Sequence, residues 1–262
     1  MSSKTQKLLA MLGAALLGAS PLGCATTAAL EEREHNARSA RSHFNLAADH
    51  VENGRLELGL RELLMAERLD PENPEVQHGL GIAYLQRGKV PEAEAHLLRA
   101  IELAPSYQEA RFNLSSLYLN LERYDECIHH SELLSDDATF VSPWRSYTNW
   151  GWALYRQGHQ AEARRKLERA EHFNPRYWPM KMNLGILEAE QGRRPEAIEL
   201  LSEVLELGPG PSATAEANYR LAEIYVSLGR RKQAVGHLRT AVVKAPSDPW
   251  GRKSEEYLKL LR

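Results

Sequence analysis

The chain has 262 residues, a net charge of −2, 43% apolar and 26% charged residues. Those fractions are ordinary for a folded soluble body, and the near-balanced charge gives no electrostatic footprint for nucleic acid. At the N-terminus Lys4 and Lys7 precede an apolar run, Leu8–Ala19, followed by Ser20-Pro21-Leu22-Gly23-Cys24. A basic start and an apolar stretch too short to span a bilayer comfortably predict an export signal.

The Leu22-Gly23-Cys24 ending resembles a bacterial lipoprotein signal. That resemblance implies cleavage after residue 23 and lipidation of Cys24; a chance cysteine after an ordinary secretory signal is the alternative. Loss of Lys4 and Lys7 takes the net charge from −2 to −4. Ala25, not aspartate, follows the cysteine, which by the same resemblance implies outer-membrane rather than inner-membrane placement, on the periplasmic face. Residues 24–39 are expected to form a tether, mostly unstructured, with at most a fraying helical turn in Glu31–Ser39. Extended, about 15 residues reach roughly 50 Å.

From residue 40 the chain repeats itself. Small residues fall at Ala47, Gly81, Ser115, Gly151, Gly185 and Ala222, and a second series at Gly59, Ala93, Cys127, Ala163, Ala197 and Ala234. Both series are spaced by 34, 34, 36, 34 and 37 residues. Turn glycines at Gly54, Gly88, Gly158, Gly192 and Gly229 and closing prolines at Pro71, Pro105, Pro175, Pro209 and Pro246 run in phase with them. Two helices crossing closely need a small residue at the contact, where a larger one would overpack by roughly 1–3 kcal/mol. In residues 74–107 the first helix carries Leu80, Gly81 and Tyr84, Gly88 ends it, and a second helix from Val90-Pro91 carries Ala93, Leu97 and Ala100. This pattern and period resemble the tetratricopeptide repeat. The expected fold is all-α, a superhelical solenoid of six such repeats (40–73, 74–107, 108–141, 144–177, 178–211 and 215–248) closed by a capping helix over 249–262. The third repeat is irregular: Glu122 replaces the turn glycine, Ser131 replaces an apolar residue, and Leu134 stands where a small one is expected. An inserted junction follows it up to Pro143-Trp144, and Gly208–Ser212 predicts a stiff break before repeat six.

No catalytic constellation is present. There is no HExxH, CxxC, P-loop or GxSxG motif, and His129-His130 are adjacent, so one helical face cannot offer both to a metal. The expectation is a protein that is not an enzyme, with no cofactor, metal or small-molecule substrate. Cys127 occupies a small-residue slot and reads as a packed, inert thiol. What remains is binding. In tetratricopeptide proteins the first helices line a concave groove, and carrying its recurrent positions onto this chain gives Phe44, Ile82, Leu85, Phe112, Leu119, Asn120, Trp152, Tyr155 and Arg156 as the expected partner-binding strip. Met182, Ile186 and Tyr219 continue its apolar middle. A solvent-exposed apolar stripe of that length implies a partner that covers it.

A lipoprotein-like signal, a short tether, six repeats and an irregular junction between repeats three and four resemble the pilotin lipoproteins of type IV pili (the PilF, PilW and Tgl type), with the nearest likeness to Tgl. The most characteristic stretch runs from Glu122 to Gly158 and includes Asn149-Trp150-Gly151. The resemblance implies an outer-membrane lipoprotein that binds subunits of the secretin, the ring through which the pilus leaves, and promotes their localisation and multimerisation for pilus-dependent motility. The alternative is a scaffold of the same architecture serving other envelope machinery, such as peptidoglycan enzymes or outer-membrane protein assembly.

Overall fold

The structure, a computed structural model, describes residues 21–261, with side chains from Thr27 onward. The expected signal segment up to residue 20 and the side chain of Cys24 lie outside the described residues. Among the described residues every regular element is a helix, and the fold is a solenoid-like helical repeat. The helices gather into two compact units, one ending at Leu103 and one beginning at Ala104.

The first unit contains α1 (Pro21–Glu52), α2 (Leu56–Leu69), α3 (Pro74–Gln86) and α4 (Val90–Leu103). α1 pairs with α2, α3 pairs with α4, and α2 packs on α3. Asn73 starts α3: its side chain accepts from the backbone N–H groups of Glu75 and Val76 at 3.0 and 3.3 Å, and Pro74 follows where no donor is needed. Gly88 ends the hairpin's first helix at φ +69°, a left-handed position that a residue without Cβ adopts at least cost. A Cβ on Gly81 would lie 2.7 Å from Leu97 Cγ, so the small-residue slot is a real point of closest approach.

The expected loose tether is helix: α1 runs unbroken from Pro21 through residues 24–39 into the first repeat. Alanine, leucine, glutamate and arginine, which dominate Ala25–Arg38, are the strongest helix formers. Arg33 also pairs with Glu72 at 3.6 Å, and Ala40 is fully buried. As helix, the span from Cys24 to Ala40 measures roughly 24 Å at 1.5 Å per residue, about half the extended reach.

The second unit contains α5 (Gln108–Asn120), α6 (Tyr124–Asp136), α7 (Pro143–Arg156), α8 (Gln160–Phe173), α9 (Trp178–Glu190), α10 (Arg194–Glu206), α11 (Pro211–Ser227), α12 (Arg231–Lys244) and α13 (Pro249–Leu260). Leu167, Leu201 and Leu238 are fully buried in the slot that Leu97 fills in repeat two. In repeat three that slot holds Ser131, also fully buried, and the contact with α7 is hydroxyl-rich. Ser146 donates to the Ser131 carbonyl at 2.6 Å, and the Asn149 amide forks onto Ser115 and Ser116 at 3.0 and 2.9 Å. Glu122 takes the turn-glycine place with φ +59°, the one non-glycine residue with positive φ among the described residues. The expected stiff break before repeat six is shorter than the prolines suggest. Pro211 starts α11, because a proline at the first helical position costs no hydrogen bond, and α11 gains an extra turn over the other first helices of the unit. α13 packs on α11 and α12 and buries Gly251 and Ser254; Tyr257, Leu258 and Leu261 join the apolar core of repeats five and six.

Candidate partner-binding surface

In the first unit two of the three expected strip residues, Phe44 and Ile82, come together. Phe44, Ala48 and Val51 of α1 and His78, Gly79 and Ile82 of α3 line an apolar cleft of about 220 Å³, floored by Leu63. Gly79 was not singled out by periodicity, yet it keeps the cleft open: a Cβ there would meet Leu63 Cδ2 at 2.9 Å and Phe44 Cε2 at 3.3 Å. An exposed Arg41–Glu75 ion pair bridges the same two helices. Leu85 is half-buried on α3 outside this cleft's lining.

In the second unit the strip is less open than expected. Phe112 is buried, packed with Leu134 and with Phe140 of the inserted junction, and the Arg145 guanidinium lies 3.7 Å from its ring centroid. Met182 and Ile186 are buried as well. These three side chains pack the interior and do not form an exposed stripe. Leu119, Trp152 and Tyr155 are half-buried, and Asn120 and Arg156 are exposed. Trp152 and Tyr155 stack at 4.5 Å between ring centroids, the Tyr155 hydroxyl donates to Glu190, and Arg156 donates to Glu122 at 2.8 Å. Burial and the adjacent Glu190 raise the Tyr155 phenol above its ordinary range, so it remains a donor.

Two adjoining clefts, of about 310 and 470 Å³, lie farther along the second unit. The first is lined by Ile186, Ala189, Glu190, Arg194 and Ile224, the second by Tyr219, Trp250, Lys253 and Tyr257, and both share Arg220 and Glu223. Only Ile186 and Tyr219 of this group were expected. Trp250, Lys253 and Tyr257 depend on α13 folding back beside α11, a juxtaposition that the repeat period does not encode.

A polar pair links the two helices of several repeats at one equivalent place. His43 Nδ1 donates to Glu62 at 2.8 Å, His96 Nδ1 to Gln77 at 2.7 Å and His237 Nδ1 to Asn218 at 2.9 Å. In repeat three the partner is Arg111, which has no acceptor atom, so His130 Nδ1 accepts from the guanidinium at 3.4 Å. Burial, then the Arg111 charge, pushes His130 down to about 4. Burial lowers His96 and His237 also, and Glu67 at 3.8 Å partly offsets it for His96. Cys127 is buried, and burial pushes its thiol up to about 12, the behaviour of a packed thiol and not of a nucleophile. Among the described residues no three His, Cys, Asp or Glu side chains converge as metal ligands, and no helix is long and apolar enough to cross a membrane.

Comparison with known proteins places this arrangement. The tetratricopeptide repeat family matches residues 44–107, 78–126 and 148–212, and a second profile of the same repeat matches 189–250. PilF of Pseudomonas aeruginosa is similar in structure, with 13% identity, coverage of 85% of this chain and 99% of that one, and a TM-score of 0.71. PilW, described as a widely conserved type IV pilus biogenesis factor, is similar with 17% identity, coverage of 82% and 97%, and a TM-score of 0.71. At such identities the likeness is one of fold. The BBSome complex member bbs-4 of Caenorhabditis elegans is 26% identical over 144 residues, 54% of this chain and 30% of that protein, so the chain spans under a third of that relative's length. With its repeats matched over more than half its length, the chain belongs to the tetratricopeptide repeat family.

Proposed function

We propose that this protein is an outer-membrane lipoprotein that binds secretin subunits through its first-helix surface and promotes their localisation and multimerisation during type IV pilus biogenesis. The observation that carries the reading is the fold likeness to PilF and PilW, which extends over 99% and 97% of those chains. The lipoprotein-like ending at Cys24 adds to it. Lipid on Cys24 holds the chain at the membrane, and α1 acts as a helical stand-off in place of a loose tether. The apolar cleft at Phe44, Gly79 and Ile82 accepts an apolar side chain of a client subunit, which shields that side chain until the subunit inserts. No bond is made or broken, and no cofactor is required.

The reading is tested by separating anchor from groove. Cys24→Ala is expected to release the protein from envelope membranes, and unchanged membrane association contradicts the lipid anchor. Ile82→Asp places a charge in the apolar cleft and is expected to abolish co-isolation of secretin while helix content by circular dichroism is kept. Undiminished co-isolation with the folded variant removes this cleft from the binding surface.

A further inference from the structure

Phe112 holds the register of Phe44 and His78, each 34 residues from the next, and those two line the open cleft of the first unit. Phe112 itself is covered. The junction between α6 and α7, residues 137–142, lies over it and inserts Phe140. Phe140 is 6% exposed, whereas Ala138, Thr139 and Val141 around it are exposed, Val141 at 77%. The junction therefore rests on the surface and buries a single side chain. Phe112, Leu134 and Phe140 form an apolar cluster of their own, apart from the other clusters of the unit. Gln108 of α5 fastens the junction: its amide donates to Asp137 Oδ2 and to Thr139 Oγ1, both at 2.7 Å. The Thr139 hydroxyl and backbone N–H donate in turn to Asp137 Oδ1 at 2.6 and 2.9 Å. Ser142 precedes α7 without capping it through its side chain.

We propose that the junction is an internal strap that occupies the client position of repeat three, and that an aromatic side chain of a client segment takes the place of Phe140. The present occupant defines the chemistry of the site. A ring lies against Phe112 and Leu134, and acceptor groups one and three residues before it meet the Gln108 amide. A client segment with an aromatic side chain preceded by Asp or Thr renews these contacts, so exchange conserves both the buried apolar area and the hydrogen bonds. The strap is tethered at both ends, so its local concentration is fixed and it refills the site when the client leaves. This rests on the reading of the first-helix surface as the client-binding face, and adds the kind of side chain that repeat three takes and the segment that holds it back.

The test titrates the full chain with a fluorescein-labelled peptide of the strap's own sequence, residues 135–142, and with the same peptide carrying Phe140→Ala. A chain with Phe140→Ala is expected to bind the phenylalanine peptide roughly tenfold more tightly than the parent does, because the competing ring is gone. It is expected to prefer that peptide to the alanine peptide by a similar factor. Thr139→Val in the chain removes an acceptor of the strap and leaves Gln108 free for the peptide. It is expected to tighten binding about threefold, and, lying on an exposed residue, it serves if the first variant does not fold. A Phe140 that only fills the interior would lower stability without raising affinity. Equal affinity in parent and folded variants, or equal affinity for the two peptides, overturns the proposal. Secretin multimers in cells are a separate readout. Strap exchange with normal multimers in a strain lacking the protein keeps the strap and discards the secretin client; no exchange with lost multimers does the reverse.

Discussion

Repeats one and two present Phe44, Ala48, Val51 and Ile82 around a cleft whose floor is Leu63, whereas repeats five and six with the closing helix present Arg220, Glu223, Tyr219 and Trp250 around theirs. The hairpins beneath are built alike, with Gly81 set against Leu97 in one region and Gly185 against Leu201 in the other. The difference teaches that small residues and buried leucines hold the hairpin, while the positions facing the groove vary without disturbing it. Function is then carried by side chains placed on a repeated frame.

The strongest way to break the comparison is Gly251→Ala. A Cβ there would sit 1.9 Å from the Ala245 carbonyl oxygen, a backbone atom that cannot step aside. α13 must shift, at an expected cost of about 3 kcal/mol in denaturant unfolding. The cleft between α11 and α13 should be lost, while hydrogen exchange of α1–α4 stays as in the parent. Wild-type stability in the variant contradicts the account of the closing helix.

Acid sharpens the comparison next. His130 has a folded-state value of about 4, below its ordinary 6.5, because burial and Arg111 disfavour its protonation. The unfolded chain therefore binds a proton that the folded chain refuses. The stability from neutral His130 is complete above pH 6.5 and is lost progressively as pH falls towards 4. Protection of α5 and α6 amides, corrected for the intrinsic exchange rate at each pH, should fall across that window. His130→Gln should flatten the response more than His96→Gln, since Glu67 stands beside His96 and Arg111 beside His130. Equal acid responses in the two variants would remove Arg111 as the cause.

Gly79→Ala probes the apolar cleft. The obstructing atoms are the ends of the Leu63 and Phe44 side chains, which can yield, so the expected loss is about 1 kcal/mol together with a smaller cleft. The smallest effect is expected of Glu122→Gly. Relief of the left-handed backbone should gain about 1 kcal/mol, reduced by loss of the exposed Arg156 pair, which contributes little. Thermal melts that show destabilisation instead would mean that Glu122–Arg156 holds repeats three and four together.

Much of the frame was legible before the structure. The phase of the small residues placed the hairpins, Gly88 marked a left-handed turn, and Glu122 and Ser131 marked the irregular repeat. The groove was legible only in part. Phe44 and Ile82 meet as their spacing implies, but Phe112 is covered by Phe140 and Arg145, contacts 28 and 33 positions away that no helical period encodes. The cleft at Tyr219 and Trp250 arises for a similar reason, since Trp250 and Lys253 reach Arg220 only through the packing of α13 on α11. A loose tether over residues 24–39 is not what forms, because small side chains do not imply looseness: alanine is the best helix former, and α1 runs straight through them.

The central claim is that this chain enables secretin assembly. The most direct measurement is an immunoblot of secretin in envelopes from cells with and without the protein. Heat-resistant multimers in its presence and monomers alone in its absence are the predicted result. Normal multimers in the strain that lacks it would contradict the account and leave a binding module whose client is another protein.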